Sequence, residues 1–335
     1  MLLLISAFIT LPAAALMSWW ALRYAQSRNM LDIPGDRSLH STPTPRGGGL
    51  AIAGCVLGGA VILTAIGEIP MALGLSLTGG GVIVAGLGWL DDRSGLPAGI
   101  RAVGYLVAAG VGVWFSGALT GFAIGSASVE LGWAGVPLTI LGIVWITNLY
   151  NFMDGADGIA AAQGIGAGLY AACLFAVGGL WGSAALCLII AAACAGFLIF
   201  NWPPARLFMG DVGSCLLGYS FGVLVLHGEQ SGAVPLPAWM LLLLVFIVDA
   251  TLTLIRRLLR GEKWYSAHRT HAYQLLVQSG LGHRGVLLRF MFINFLILGP
   301  LALFTSGDSL SLVAIVVTLI SIWFWCRAQR RHGMI

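Results

Sequence analysis

Apolar residues in this chain fall in long unbroken runs rather than in the stripes of half-buried elements. A membrane-crossing helix needs about 20 mostly apolar residues. Runs of that kind cover 2–22, 48–66, 70–90, 98–117, 133–150, 158–178, 181–201, 213–228, 236–255, 286–305 and 309–326. The pattern predicts an all-α, polytopic integral membrane protein with about 11 transmembrane helices. Several runs are rich in Gly and Ala, which lets neighbouring helices approach closely in lipid. The short alternating segments of a transmembrane barrel are missing from the sequence. No fixed-period repeat or low-complexity linker divides the chain, so 1–335 reads as one domain.

Composition agrees with the pattern. Hydrophobic residues make up 59% of the chain and charged residues 9%, against roughly 25% charged in soluble domains. A soluble enzyme, a disordered chain and a nucleic-acid-binding domain are excluded. The net charge of +4 matters less than its placement. With the N-terminus outside, the inner segments are 23–47, 91–97, 151–157, 202–212, 256–285 and the C-terminal tail, with their helix ends. They hold all 17 Lys and Arg residues, whereas the outer connections carry Glu68, Glu130, Glu229 and Asp308 and nothing basic. That asymmetry predicts an outer N-terminus and a cytoplasmic C-terminus. The first run lacks a basic segment before it and is expected to be retained rather than cleaved as a signal peptide. The six cysteines lie in or at the ends of apolar runs without ligand spacing, and read as small buried hydrophobes.

The remaining nine carboxylates, Asp32, Asp36, Asp91, Asp92, Asp154, Asp157, Asp211, Asp249 and Glu262, all fall on or near the inner side. Asp91 and Asp92 end the third run; adjacent helical residues point apart, so one is expected in a site and the other toward Arg93 or nearby backbone. Asn148, Asn151 and Asp154 recur every three residues and share a helix face, followed by Asp157 in a glycine-rich turn. Amide and carboxylate oxygens are the hard ligands magnesium prefers beside phosphate. Asp211 follows Phe208-Met209-Gly210 and opens the eighth run, as a helix cap or a ligand. The 256–285 segment carries Ser266-Ala267-His268-Arg269-Thr270-His271-Ala272-Tyr273-Gln274; its basicity suits anionic lipid headgroups, while its histidines point to phosphate binding. His40 to Gly49, with Arg46 and three glycines, is a junction able to approach a ligand or pack closely. Asp249, inside the ninth run, is either functional or paired with a neighbouring helix.

At these residues the chain resembles the polyprenyl-phosphate N-acetylhexosamine-1-phosphate transferase family. The likeness runs from about Asp32 to Gln274 and takes in five motifs in the family's order. Details of His40–Gly49 and of His268–Gln274 are similar to the O-antigen-initiating branch. The muramoyl-pentapeptide branch has consecutive histidines where this chain has His268-Arg-Thr-His271, which argues against a pentapeptide substrate. The resemblance implies transfer of an N-acetylhexosamine-1-phosphate from a UDP-sugar to undecaprenyl phosphate with release of UMP, at the cytoplasmic face of a bacterial inner membrane. It implies magnesium, with manganese able to substitute, held by Asp211 and Asn151. Asp91, Asp92 and Asp154 are the implied catalytic acids. Asp157 would read the uracil, and Asn148, Arg46, His268, Arg269 and His271 would contact substrate. The partners implied are undecaprenyl phosphate, a UDP-N-acetylhexosamine and membrane lipids, with no nucleic acid; a homodimer is compatible with the sequence. The sugar stays open among N-acetylglucosamine, N-acetylfucosamine, N-acetylquinovosamine and relatives.

Two other readings fit less well. A lipid-linked sugar transporter or flippase would place its polar groups near the bilayer midplane, often within repeats. A CDP-alcohol phosphatidyltransferase shares part of Asp154-Gly-Ala-Asp157-Gly but needs further residues that this chain lacks.

Overall fold

The computed structural model describes residues 2–28, 30–35, 39–40, 42–263 and 268–334. It is 77% helical with almost no sheet, which makes the class all-α. The apolar runs become α1 (Leu2–Ser27), α2 (Gly49–Ala65), α3 (Met71–Ser94), α4 (Ala98–Ser116), α5 (Gly135–Met153), α6 (Ile159–Val177), α7 (Trp181–Asn201) and α8 (Asp211–Ser231). They continue as α9 (Leu236–Leu242), α10 (Leu244–Leu259), α11 (Ala272–Leu276), α12 (Gly282–Met291), α13 (Gly299–Phe304) and α14 (Gly307–Arg331). The protein is a multi-pass membrane protein.

The count of about 11 needs qualification at three places. Among the described residues, nine helices are long and apolar enough to cross a membrane. A tenth crossing exists only if α9 and α10, bent by 81° at Leu243, are taken together. The expected span 48–66 forms the shorter α2, of 17 residues. The expected span 286–305 belongs to a 33-residue apolar stretch, Ala272–Phe304. Its helices are joined by π-helical turns at Val277–Leu281 and Phe292–Leu298, with Gly280 at φ 96° breaking the first.

Helix α8 is the axis of the bundle, buried along most of its length against α3 and α5. Small residues make this possible. A Cβ on Gly88 of α3 would lie 2.6 Å from the backbone of Asp211, and one on Gly49 of α2 would lie 2.2 Å from the Gly213 nitrogen. Deeper in the bundle the buried Tyr219 hydroxyl reaches the Ser76 carbonyl at 2.8 Å, which satisfies a polar group that lipid could not. On the other side α7 packs against α1 and α6 through alanines and glycines. All six cysteines are free.

Two small antiparallel ladders interrupt the helices. Strands β1 (Leu31–Asp32) and β2 (Thr44–Pro45) pair ahead of α2, and β3 (Gly121–Ile124) and β4 (Ala127–Glu130) form a hairpin between α4 and α5. The first ladder places Asp32 opposite Thr44, next to Arg46.

Candidate active site

The polar motifs converge at one end of the bundle, where α3 and α5 end and α8 begins. The segment before α2 pairs with the segment before α8. Phe208 N–H donates to the Pro45 carbonyl at 2.8 Å, and Gly48 and Gly49 N–H donate to the Phe208 and Met209 carbonyls at 2.9 and 2.8 Å. The glycines after Arg46 therefore serve backbone packing. Gly210, at φ 75°, turns the chain into α8, and a Cβ there would meet the Asp92 carboxylate at 2.4 Å.

Asp91 and Asp92 divide as adjacent helical residues must, and both are engaged. Asp92 Oδ1 accepts the Asp211 N–H at 3.0 Å and Oδ2 the Val212 N–H at 3.4 Å, so it caps the exposed N–H groups of α8. Arg46 Nη1 reaches the same carboxylate at 3.3 Å while its Nη2 pairs with Asp32 at 2.6 Å. Asp91 accepts the Leu96 N–H and pairs with Arg101 at 2.8 Å; Arg101 also reaches Asp211 at 3.4 Å. The expected neighbour Arg93 instead lies over the Trp89 ring. Burial works to lower the Arg46 pKa, and the carboxylates of Asp32, Asp92 and Asp211 outweigh it and hold the guanidinium above its ordinary value.

Asn151 Nδ2 donates to Asp211 Oδ1 at 3.0 Å and to Ser214 Oγ at 3.1 Å, leaving its own carbonyl oxygen without a donor among the described residues. The Asp154 carboxyl makes no hydrogen bond or ion pair among the described residues; only its backbone N–H is engaged, with the Asn151 backbone carbonyl at 3.2 Å. Burial pushes its carboxyl well above the usual carboxylate range, and the charge on Asp211 adds to that. Asn148 turns away: its amide donates to the Val144 carbonyl one turn back at 2.9 Å. It does not line the cavity beside Asn151 and Asp154.

That cavity holds about 260 Å³. Asp157, Arg46, Asp154 and Asp211 line it with Asn201, Phe208, Gln274 and His283. Asp157 Oδ2 accepts the Ala205 N–H at 3.0 Å, and His283 Nδ1 lies 3.2 Å from Asp157 Oδ1 and accepts the Asp157 N–H at 3.1 Å. His283 Nε2 sits 3.2 Å from the Leu39 carbonyl. A carbonyl can only accept, so Nε2 carries a proton. Asn201 joins the turn after α5 to the segment before α8, accepting from Gly158 at 2.8 Å and donating to Leu207 at 2.9 Å. The His40 ring meets the Phe208 ring edge-on at 4.9 Å.

The loop of the expected phosphate-binding residues lies against the end of α5 without lining that cavity. Ser266 and Ala267, like Asp36 and Arg37, lie outside the described residues. The His271 ring packs between His268 and Tyr273, at 4.8 and 5.8 Å, and the Tyr273 hydroxyl donates to the Phe152 carbonyl at 3.0 Å. Burial and the neighbouring His271 lower the His268 pKa to about 3, so the ring is neutral at neutral pH. Arg269 is exposed and forms no ion pair among the described residues. Asp249 is buried, with partners on α10, α14 and the loop around His271.

Sequence reasoning missed Asp32, Arg101, Asn201 and His283. Arg101 entered only as a counted charge, Asp32 as a counted charge and the start of the resemblance, and His283 stands in a segment without a motif. Asn201 ends an apolar run, and only that position hinted at a role.

A resident divalent cation can be tested against these donors. Among the described residues, no three His, Cys, Asp or Glu side chains form a metal cage. Magnesium needs no such cage, since one or two carboxylates hold it and substrate phosphates complete its shell. The unpaired Asp154, Asp211 and the undonated Asn151 carbonyl fit that requirement.

Comparison with known proteins accords with this geometry. The pattern of glycosyl transferase family 4 matches residues 74–229, which contain Asp91, Asp92, Asn148 to Asp157 and Asp211. A probable undecaprenyl-phosphate N-acetylglucosaminyl 1-phosphate transferase of Bacillus subtilis is 34% identical over 313 residues, covering 90% of this chain and 81% of that one. A decaprenyl-phosphate N-acetylglucosaminephosphotransferase of Mycobacterium tuberculosis is 32% identical over 287 residues, covering 76% and 70%. A phospho-N-acetylmuramoyl-pentapeptide-transferase of a Synechococcus species is 36% identical over 169 residues, covering 46% and 47%. With relatives matched at this identity along most of both chains, the protein belongs to glycosyl transferase family 4.

Proposed function

We propose that the chain, acting as one catalytic unit, transfers an N-acetylhexosamine-1-phosphate from a UDP-sugar to undecaprenyl phosphate. The observation that carries this reading is the gathering of Asp91, Asp92, Asp154, Asp157 and Asp211 with Arg46 and Arg101 at one end of an apolar bundle. An oxygen of the acceptor phosphate attacks the sugar-bearing phosphorus, the bond to the bridging oxygen breaks, and UMP leaves with that oxygen. One phosphoanhydride is lost and one is made, so the reaction is reversible. In the cavity, the Phe208 ring offers a face for a base, and Asp157 supplies an acceptor for its N–H group. Arg269, the neutral imidazole of His268 and the His271 ring hold the nucleotide phosphates by hydrogen bonding and charge. Asp211 and Asn151, with Asp154 beside them, would hold magnesium, or manganese in its place. When bound, the cation supplies charge neutralisation for phosphates brought together.

Neither Asp91 nor Asp92 has an idle oxygen, because backbone N–H groups and arginines occupy them. A general base needs an oxygen within reach of the proton it removes. The acceptor monoester, with a second pKa near 6, is already largely dianionic at neutral pH. The pair therefore fixes Arg46, Arg101 and the start of α8, and so arranges charge around the reacting phosphates.

The matches to N-acetylglucosamine transferases, over 90% and 76% of this chain, are wider than those to two pentapeptide transferases, over 46% and 61%, and support an N-acetylhexosamine donor. We assign the step to the start of O-antigen or a related surface polysaccharide, at the cytoplasmic face of a bacterial inner membrane. The one-sided basic residues support that orientation. Asp211→Ala tests the site. The Asp211 carboxylate accepts from Asn151 and pairs with Arg101 rather than capping α8, and losing a hydrogen bond of that kind costs about 1 kcal/mol, so a folded variant without magnesium-dependent UDP-N-acetylglucosamine binding is the expected result. Unchanged turnover at the same magnesium concentration contradicts it.

A further inference from the structure

Asp249 lies inside α10 at 5% exposure, where a carboxylate needs several partners to be tolerated. Its Oδ1 accepts the Ala272 N–H at 2.8 Å, Thr253 Oγ1 at 3.2 Å and the Trp325 Nε1–H at 3.2 Å. Its Oδ2 accepts the Tyr273 N–H at 3.0 Å, and His271 Nδ1 stands 3.6 Å from Oδ1. One carboxylate thus fixes the backbone just past His271 and reaches α14, the C-terminal helix.

A second buried link runs in parallel. Gln329 of α14 is fully buried; its Nε2 donates to the Thr270 carbonyl at 3.0 Å and its Oε1 accepts from Arg256. Arg256 Nη2 in turn donates to Thr270 Oγ1 at 2.7 Å, and Thr270 Oγ1 contacts His268 Nδ1 at 3.0 Å. The Arg-Thr-His stretch is therefore held at both ends by α10 and α14. Beyond it, Tyr273 and Gln274 reach the end of α5 and the cavity.

We propose that Asp249, Trp325 and Gln329 are positioning residues for the nucleotide phosphates, with α14 acting as the clamp that orients His268, Arg269 and His271. This rests on the functional reading above, and deepens it by giving the C-terminal helix a task in the site. A hydrophobic anchor would need no buried amide aimed at the loop and no indole N–H aimed at the carboxylate that holds it. Substrate phosphates would meet a preformed surface rather than order it, and affinity for them would depend on groups that never touch them.

The test uses the full-length protein in detergent and compares binding of UMP with binding of uridine. Trp325→Phe keeps an aromatic ring and removes one donor; Gln329→Leu removes the bond to the Thr270 carbonyl of the loop and the bond to Arg256 of α10. Both variants are expected to weaken UMP binding about tenfold, the effect of one well-placed hydrogen bond. Uridine binding and the KM for undecaprenyl phosphate are expected to stay at wild-type values. Trp323→Leu, on the exposed side of the same helix, is the control and is expected to behave as wild type. If Gln329→Leu is lost on extraction, Trp325→Phe carries the comparison alone. Uridine and UMP weakening together, or neither weakening, overturns the clamp while leaving the functional reading intact. A wild-type protein that binds neither UMP nor UDP-N-acetylglucosamine contradicts the functional reading itself.

Discussion

Asp91 and Asp92 are neighbours in sequence with separate partners in space. Asp92 holds α8 and Arg46, and Asp91 holds Leu96 and Arg101. The sequence foretold the separation, because a helix turns about 100° per residue, but Arg101 could not be chosen over Arg93 without the packing of α3 against α4. Asp91→Asn is expected to lower kcat/KM for undecaprenyl phosphate while keeping an acidic limb at about pH 6, the acceptor's own second ionisation. A limb that vanishes in the variant would make Asp91 the base. His268 gives a second residue-level test. Between its unfolded pKa of 6.5 and its folded value of about 3, the unfolded chain binds a proton that the folded chain does not. Stability therefore falls as pH drops through that window. Wild type should lose melting temperature more steeply than His268→Gln from pH 7 to pH 5; equal slopes would contradict the neutral ring.

Among the elements, the long apolar helices were legible because nothing but lipid or a large core tolerates such runs. The break at Leu243 was not legible. No proline or glycine marks it, and the run 236–255 stays apolar across the bend. The β3–β4 hairpin was legible in principle, since Gly125-Ser126 is a two-residue turn signal. It was masked by its place in a connection judged only by charge. Glycine content was visible too, though which glycine touches what was not. Gly88 is the decisive case, with the Asp211 backbone 2.6 Å from where its Cβ would lie. Gly88→Ala is expected to push α3 from the start of α8. Overpacking of this kind costs about 1–3 kcal/mol, and a shift near 1 Å costs about 100-fold in rate. Purified, folded Gly88→Ala with wild-type kcat would show that this contact does not set the geometry.

For the molecule as a whole, five motifs scattered from residue 40 to residue 274 become one site because each ends or begins an apolar helix at the same end of the bundle. Charge asymmetry and motif order made that convergence legible in the amino-acid sequence. The division of work within it was not: Asn148 faces its own helix, and Asp154 rather than Asp91 is the unpaired acid. On the function proposed above, this site moves a sugar phosphate onto a polyprenyl phosphate. The most direct measurement incubates purified protein with undecaprenyl phosphate, magnesium and UDP-N-acetylglucosamine labelled in both the sugar and the β-phosphate. Both labels are expected to enter the lipid together, with one UMP released per lipid made and the reverse reaction driven by added UMP. Sugar entering the lipid without the β-phosphate, or UDP released in place of UMP, would contradict it.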